Sequence, residues 1–289
     1  MKRQLKCTYF KKTGYPQLIS ERSCILLTFI IYLLPIFLSG CGACKKVTGH
    51  IKESISYDEK IIIFERSPEI EISGDAGNIE VFNHEEKSVK FEILKKIKRV
   101  YTSQEELESD FKKFNITTEY KADKILLKFK YDTNKLNPEN QSIDIRMYIP
   151  KNIKSINFKL SSGKIKIYDD LNCNIFADLN MASMDIKKMN GILNFKGEMS
   201  NIKISCGTIK NGSIVKVGTG NIDIKSEYEE GGYYEFETNT GNIDLSISSN
   251  FNISFESTGF VQMNEFKMGE FPTKIKVKSD IGRICINKY

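Results

Sequence analysis

Between residues 163 and 286 the chain alternates apolar and polar positions in short bursts, each introduced by a small residue. The bursts read Gly163-Lys-Ile-Lys-Ile167, Ser183-Met-Asp-Ile186, Ser200-Asn-Ile-Lys-Ile204, Gly220-Asn-Ile-Asp-Ile224, Gly241-Asn-Ile-Asp-Leu245, Gly259-Phe-Val-Gln-Met263 and Gly282-Arg-Ile-Cys-Ile286. Their starts lie 20, 17, 20, 21, 18 and 23 residues apart. Period-2 alternation is the signature of a half-buried strand, so Ile222 and Ile224 should face a core while Asp223 and Lys225 face water. Gly and Asn ahead of each strand suit a corner that needs positive φ. A second apolar burst falls about halfway along each interval, as in Gly191-Ile-Leu-Asn-Phe195, Gly212-Ser-Ile-Val-Lys-Val217 and Tyr234-Glu-Phe236. Each unit is therefore expected to run corner, strand, corner, strand.

A unit of some 20 residues buries too few side chains to offset its own ordering, so such units must stack on one another. The expected fold is all-β, a β-solenoid or β-helix-like stack of about 20-residue Gly-Asn-Ile-x-Ile repeats with one short helical insertion. An antiparallel sandwich with a hairpin every ten residues is the alternative. It finds Asn-Gly turns only at Asn190-Gly191 and Asn211-Gly212.

The same phrase opens the body of the chain as Gly77-Asn-Ile-Glu-Val81, after Ile61-Ile-Ile-Phe64 and Ile70-Glu-Ile72. Between Lys95 and Tyr120 the alternation breaks. Ser103-Gln-Glu-Glu106 is a capping box, and Leu107, Phe111 and Phe114 follow at helical spacing, predicting a helix over 103–114. Strands resume at Ile125-Leu-Leu-Lys-Phe129 and Ile143-Asp-Ile-Arg-Met-Tyr-Ile149, before the bend at Pro150.

The first forty residues read as an address. Six Lys or Arg and one Glu lie in residues 1–40, and the apolar run Cys24 to Leu38 is fifteen residues long, short of the ~20 a spanning helix needs. Leu38-Ser39-Gly40-Cys41 then resembles the lipobox of bacterial lipoproteins, which implies cleavage before Cys41 and a diacylglycerol on its sulfur. The expected division is a signal peptide over 1–40, a tether over 41–60 and a single domain over 61–289. An uncleaved signal anchor is the alternative. Removing the leader takes +5 of the chain's net +6, so the basic balance belongs to export and does not point to nucleic acid. Of the seven cysteines, Cys41 and Cys44 spell a C-x-x-C whose first sulfur the lipobox claims, and no disulfide framework is legible. Parity places Cys173 inward and Cys285 outward.

The order of these pieces resembles a family of bacterial surface domains of unknown function, the putative adhesins related to head GIN domains. The resemblance rests on Gly77 to Val81, Ile149-Pro-Lys-Asn-Ile-Lys-Ser-Ile156, Ser162 to Ile167 and the later glycine phrases, and it covers residues 61–287. The units at Ser183 and Ser200 lack the usual Gly. The resemblance implies an all-β solenoid at the cell envelope.

Catalytic constellations are hard to assemble from these residues. Two His, His50 and His84, leave little for metal or Ser-His-Asp chemistry, and Gly218-Thr-Gly220-Asn is a repeat corner, not a nucleotide loop. Carboxylate pairs such as Asp169-Asp170 suit turns and solvated faces, although a glycosidase or lyase would also need two acids. One stretch stands apart. Glu227-Tyr-Glu-Glu-Gly-Gly-Tyr-Tyr-Glu-Phe-Glu237 gathers five Glu and three Tyr at a Gly-Gly corner, with Tyr234 and Phe236 expected in the core and Tyr228 and Tyr233 expected as an exposed pair for ligand contact. The function expected is that of a non-catalytic, lipid-anchored module on the extracytoplasmic face of the membrane, needing no cofactor and no metal. It would bind a protein or polysaccharide of the envelope, for adhesion or scaffolding. An envelope carbohydrate-active enzyme is the alternative.

Overall fold

The computed structural model describes residues 52–101, 103–132, 140–151, 153–266 and 269–289, all within one compact unit, Gly49–Tyr289. The segment expected as a signal peptide, Cys41 and Cys44 lie outside the described residues. The first strand, β1 (Lys52–Ile63), begins inside the segment expected as a tether, so residues 52–60 are strand. It is followed by β2 (Glu69–His84), β3 (Ser88–Arg99), the helix α1 (Gln104–Phe111), β4 (Phe114–Lys121), β5 (Lys124–Tyr131) and β6 (Gln141–Pro150). The repeat region supplies β7 (Ser155–Leu171), β8 (Asn174–Gly191), β9 (Leu193–Met199), β10 (Ile202–Ile204), β11 (Gly207–Ile209), β12 (Ile214–Thr219) and β13 (Ile222–Tyr228). It ends with β14 (Tyr233–Thr240), β15 (Ile243–Ile247), β16 (Ile253–Asn264) and β17 (Thr273–Lys288).

The chain is all-β, but the solenoid expectation is overturned: the strands close into an eight-stranded parallel barrel with extra strands. The ring of hydrogen-bonded neighbours runs β8, β9, β12, β14, β17, β15, β13 and β10, then returns to β8, with β11 beside β10. Closure comes from two long strands. Asn174 to Gly191 and Thr273 to Lys288 each pass through a corner without ending, so β8 pairs β9 along its first half and β10 and β11 along its second, while β17 pairs β14 and then β15. The antiparallel sandwich fails as well, because every pairing in this ring is parallel. Extra strands extend the barrel at both ends. On one side β7 lies along β8, β2 lies along β7, and β2 then splits its pairing between β5 and β6. On the other, β16 lies along β17.

The interior is filled by in-register rows, as an eight-stranded barrel is just wide enough to allow. Ile202, Ile222, Ile243 and Ile284 stand opposite one another in turn, as do Phe195, Val215, Phe236 and Val277 across the interior, and all eight are buried. Corner glycines hold the rows in step. Gly241 has φ +147°, and a Cβ there would sit 1.9 Å from the carbonyl oxygen of Gly220, so only glycine fits. The Asn that follows does a different job from the one expected. It has no positive φ; its side chain caps the next rung, with Asn221 N donating to Asn201 Oδ1 at 2.8 Å, Asn242 N to Asn221 Oδ1 at 2.9 Å and Arg283 N to Asn242 Oδ1 at 3.1 Å.

Two further expectations are sharpened. The helix is shorter than 103–114, ending at Phe111, and Ser103 caps it by accepting from Glu106 N at 3.2 Å. Cys173 is buried as parity requires, but Cys285, on the outward parity of β17, is buried too. Strand β16 covers it, with Met263 opposite and its Sγ donating to Gln262 Oε1 at 3.8 Å.

Candidate functional site

Strands β2, β7, β8 and β9 run side by side with β5 and its hairpin partner β4, and the outer surface they share carries a concavity. It is a cleft of about 540 Å³. Its floor is apolar: Phe129, Leu160 and Leu179 are buried beneath it. Phe129 can lie there because Gly74 and Gly77 present no side chain; a Cβ on Gly74 would fall 2.2 Å from the ring. Its walls are polar and charged in both signs, with Lys128, Lys130 and Lys159 facing Asp75, Asp178 and Glu198. Cross-strand register explains the mixture. Outward positions follow one row from Lys128 to Ser73, Lys159, Asp178 and Lys196, a continuous stripe of solvent-facing side chains.

A second, shallower hollow of about 430 Å³ adjoins the cleft and shares Asp178 with it. The neighbouring outward row builds it: Asn157, Phe176, Asn194 and Ile214 stand opposite one another on β7, β8, β9 and β12. Phe176 is half-buried on this outer face, so its ring is a platform rather than core. Asn157 and Asn194 flank it, and the Asn194 Oδ1 is enclosed without accepting a hydrogen bond. Lys196 and Lys216 close the hollow's edge. An apolar platform beside amides and ammonium groups presents a ligand with one flat surface and several donors.

Comparisons with known proteins add context here. No protein-family model and no curated protein sequence matches the chain. Among solved structures it is similar to a putative adhesin from Bacteroides fragilis, at 15% identity and a TM-score of 0.41, over 80% of this chain and 97% of that one. A putative cell adhesion protein from Clostridium sporogenes matches at 14% identity and 0.34, over 81% and 100%. A putative lipid binding protein from Parabacteroides distasonis matches at 13% and 0.37, over 79% and 96%. All three TM-scores are below 0.5, so what each of those proteins does stays with it, and the chemistry of this chain must be read from its own side chains.

The expected tyrosine pair is not brought together. Tyr228 is 1% exposed and Tyr233 is 43% exposed, so the corner offers one ring, not two. Parity decides it: Ile222, Ile224, Ser226 and Tyr228 alternate inward along β13, and Tyr228 packs edge-on against Tyr234 with ring centres 4.8 Å apart. Tyr234 is core as expected. Its hydroxyl donates to Glu229 O at 3.0 Å and accepts from Glu229 N at 2.8 Å, and Gly232 leaves room for it, since a Cβ there would lie 2.4 Å from the hydroxyl oxygen. The acidic residues of the corner turn the chain, with Glu229 accepting from Asn211 N at 3.1 Å.

Titratable groups are perturbed in the direction of salt links. Lys276, with Lys216, holds the Glu235 carboxyl down to about 2. Glu69 is held low by Lys154 and Glu71 by Lys124. Asp170 is held low by Lys188. Burial pushes the Cys173 thiol up to about 12, which keeps it protonated and unreactive. His84 spends its Nε2 on the Ser88 carbonyl at 2.7 Å. Among the described residues no cluster of three His, Cys, Asp or Glu is placed to hold a metal, and no helix is long and apolar enough to cross a membrane.

Proposed function

We propose that this chain is a lipid-anchored, extracytoplasmic binding module that grips an envelope polysaccharide along the outer surface of β7, β8, β9 and β12 and performs no catalysis on it. The observation that carries the reading is the half-buried Phe176 between Asn157 and Asn194, continuous with the charged cleft. A sugar ring has an apolar face that can lie on an aromatic platform and hydroxyls that pair with amides, carboxylates and ammonium groups at its rim. Among the described residues the carboxylates whose titration is perturbed are moved down, toward the ionised form, whereas glycoside cleavage needs one acid moved up. Anchoring is supported by the basic leader, the short apolar run and Leu38-Ser39-Gly40-Cys41, with two acyl chains giving the attachment that one would not.

Binding of the purified protein to fractionated cell-wall and capsule polymers tests the reading, with Phe176→Ala expected to weaken retention about tenfold, the worth of ~1.4 kcal/mol. No retention by any polymer, or retention indifferent to Phe176, overturns the polysaccharide reading. Release of reducing sugar ends would restore the enzyme alternative. Cys41→Ala should shed the protein from the membrane or leave it at precursor size.

A further inference from the structure

Among the described residues β1 pairs with β3 on one side only, and its outward face carries Ile55, Tyr57, Ile61 and Ile63, between 53% and 77% exposed. Elsewhere on the outer surface an aromatic row is shielded by its neighbours. Tyr148, Phe82 and Tyr168 stack on one another with ring centres 5.4 and 4.9 Å apart. Among the described residues the stripe on β1 has no such neighbour, and no strand pairs with the edge of backbone N–H and C=O groups beside it. Edges of this kind invite another strand.

We infer that the missing neighbour is a second copy of β1, paired antiparallel to the first about a two-fold axis that passes through Glu59. A two-fold axis perpendicular to a continuous sheet keeps outward residues opposite outward residues, so one residue must lie on the axis. With Asp58 on the axis, Tyr57 falls opposite Glu59; with Lys60 there, Ile61 falls opposite Glu59. Only Glu59 makes the strand self-complementary. Ile55 then meets Ile63, Tyr57 meets Ile61 and Asp58 meets Lys60, each pairing occurring twice by symmetry. The two Glu59 side chains on the axis are held within their own chains, where each shares Lys90 with Glu92. Each accepts from Tyr57 OH at 2.8 Å and lies 3.2 Å from Lys90 Nζ. Lys60 makes no ion pair among the described residues, and the partner's Asp58, which Lys95 of its own chain already contacts at 2.5 Å, can take this ammonium as a second cation. The partner copy thus supplies the hydrogen-bonded edge, the apolar cover and the opposite charge together.

Sedimentation of the full chain purified from membranes should give twice the monomer mass, and Ile61→Lys should give a monomer with an unchanged unfolding midpoint. Register is read by oxidation in a chain whose Cys44 and Cys206 are serine. Glu59→Cys should cross-link to itself more than Asp58→Cys or Lys60→Cys does. Tyr57→Cys should cross-link to Ile61→Cys in a mixture of the two and not to itself. A cross-link maximum on Asp58 or Lys60, a dimer indifferent to Ile61→Lys, or a monomer in the unmodified chain overturns the proposal. A monomer whose β1 side chains are protected from aqueous label only by anionic phospholipid vesicles would assign the stripe to the membrane instead. Polysaccharide binding is a separate measurement, so neither outcome depends on the other.

Discussion

The barrel formed by residues 174–289 and the mixed parallel and antiparallel strands formed by residues 52–150 solve the same burial problem in different ways. In the barrel, each inward Ile stands on another inward residue 18 to 21 positions away in the chain, or 41 where β17 closes the ring, glycine corners stack on glycine corners, and asparagine side chains cap the next rung. Nothing there is local except the phrase itself. In the N-terminal strands, β3 and β1 pair antiparallel and α1 is fastened by a single buried carboxylate. Asp110 receives Arg99 Nη1 at 2.9 Å, Tyr101 OH at 3.0 Å and Lys113 Nζ at 2.5 Å. A repeated structure spreads its stability over many equivalent contacts, whereas the N-terminal region concentrates part of it at one polar node. The two should therefore fail differently.

The largest effect is expected at a barrel corner. Gly241→Ala puts a Cβ 1.9 Å from the Gly220 carbonyl oxygen at φ +147°, and the same change at Gly282 meets the Gly241 oxygen at 1.9 Å. Strain of that backbone region and overpacking add, so a loss of about 3 to 5 kcal/mol is expected, read by denaturant unfolding. Gly212→Ala, at a turn where a Cβ meets nothing within 4 Å, should cost much less despite its φ of +82°. Equal costs at the two sites would mean that φ alone, and not the stacked carbonyl, sets the penalty.

Next in size are the rungs. Ile222→Ala and Ile243→Ala should each cost about 2 to 5 kcal/mol as buried truncations. The two residues stand opposite one another and are both buried, so the double variant should cost a different amount from the sum, because the cavities merge. Additive costs in a complete double-mutant cycle would show that neighbouring strands relax independently.

What the sequence made legible follows from the range of each signal. Period-2 alternation is a property of a few adjacent residues, and it located the inward faces of β13, β14 and β15 and the inward Cys173. The capping box located the start of α1 for the same reason. Closure was not legible, since it depends on β8 and β17 continuing through corners at Ala182 and Gly282 where the phrase suggested an end. Cys285 was misplaced because its cover, β16, comes from 22 residues earlier and lies on the face that parity assigns to solvent. Tyr228 was a different failure: its inward parity could be read by counting on from Ile224 through Ser226, a signal masked by the acidic residues around it. The Phe176 platform is visible only once β7, β8, β9 and β12 are aligned, because Asn157, Phe176, Asn194 and Ile214 share no motif.

The smallest expected effects compare one carboxylate from each region under acid. Lys276 and Lys216 hold the Glu235 carboxyl from its ordinary 4.5 down to about 2, at ion-pair distances of 2.7 and 3.0 Å. A depressed carboxylate contributes stability that is present above its unfolded value and lost as pH falls through its folded value. The Glu235 contribution should thus be complete above pH 4.5 and disappear between there and about pH 2. Burial pushes the Asp110 carboxyl up, but Lys113, Tyr101 and Arg99 outweigh that and hold it below its ordinary 3.8, so its contribution should persist to lower pH before loss begins. Glu235→Gln should cost about 1 to 2 kcal/mol at neutral pH and flatten the upper part of the acid limb. Asp110→Asn should flatten only the lower part. Asp223, half-exposed on the outer face with Lys203 at 3.6 Å, is the control: Asp223→Ala should stay within about 0.5 kcal/mol at every pH. If Asp223→Ala shifts the acid limb as much as Glu235→Gln does, the acid response belongs to overall charge repulsion and not to the Lys216, Glu235 and Lys276 cluster.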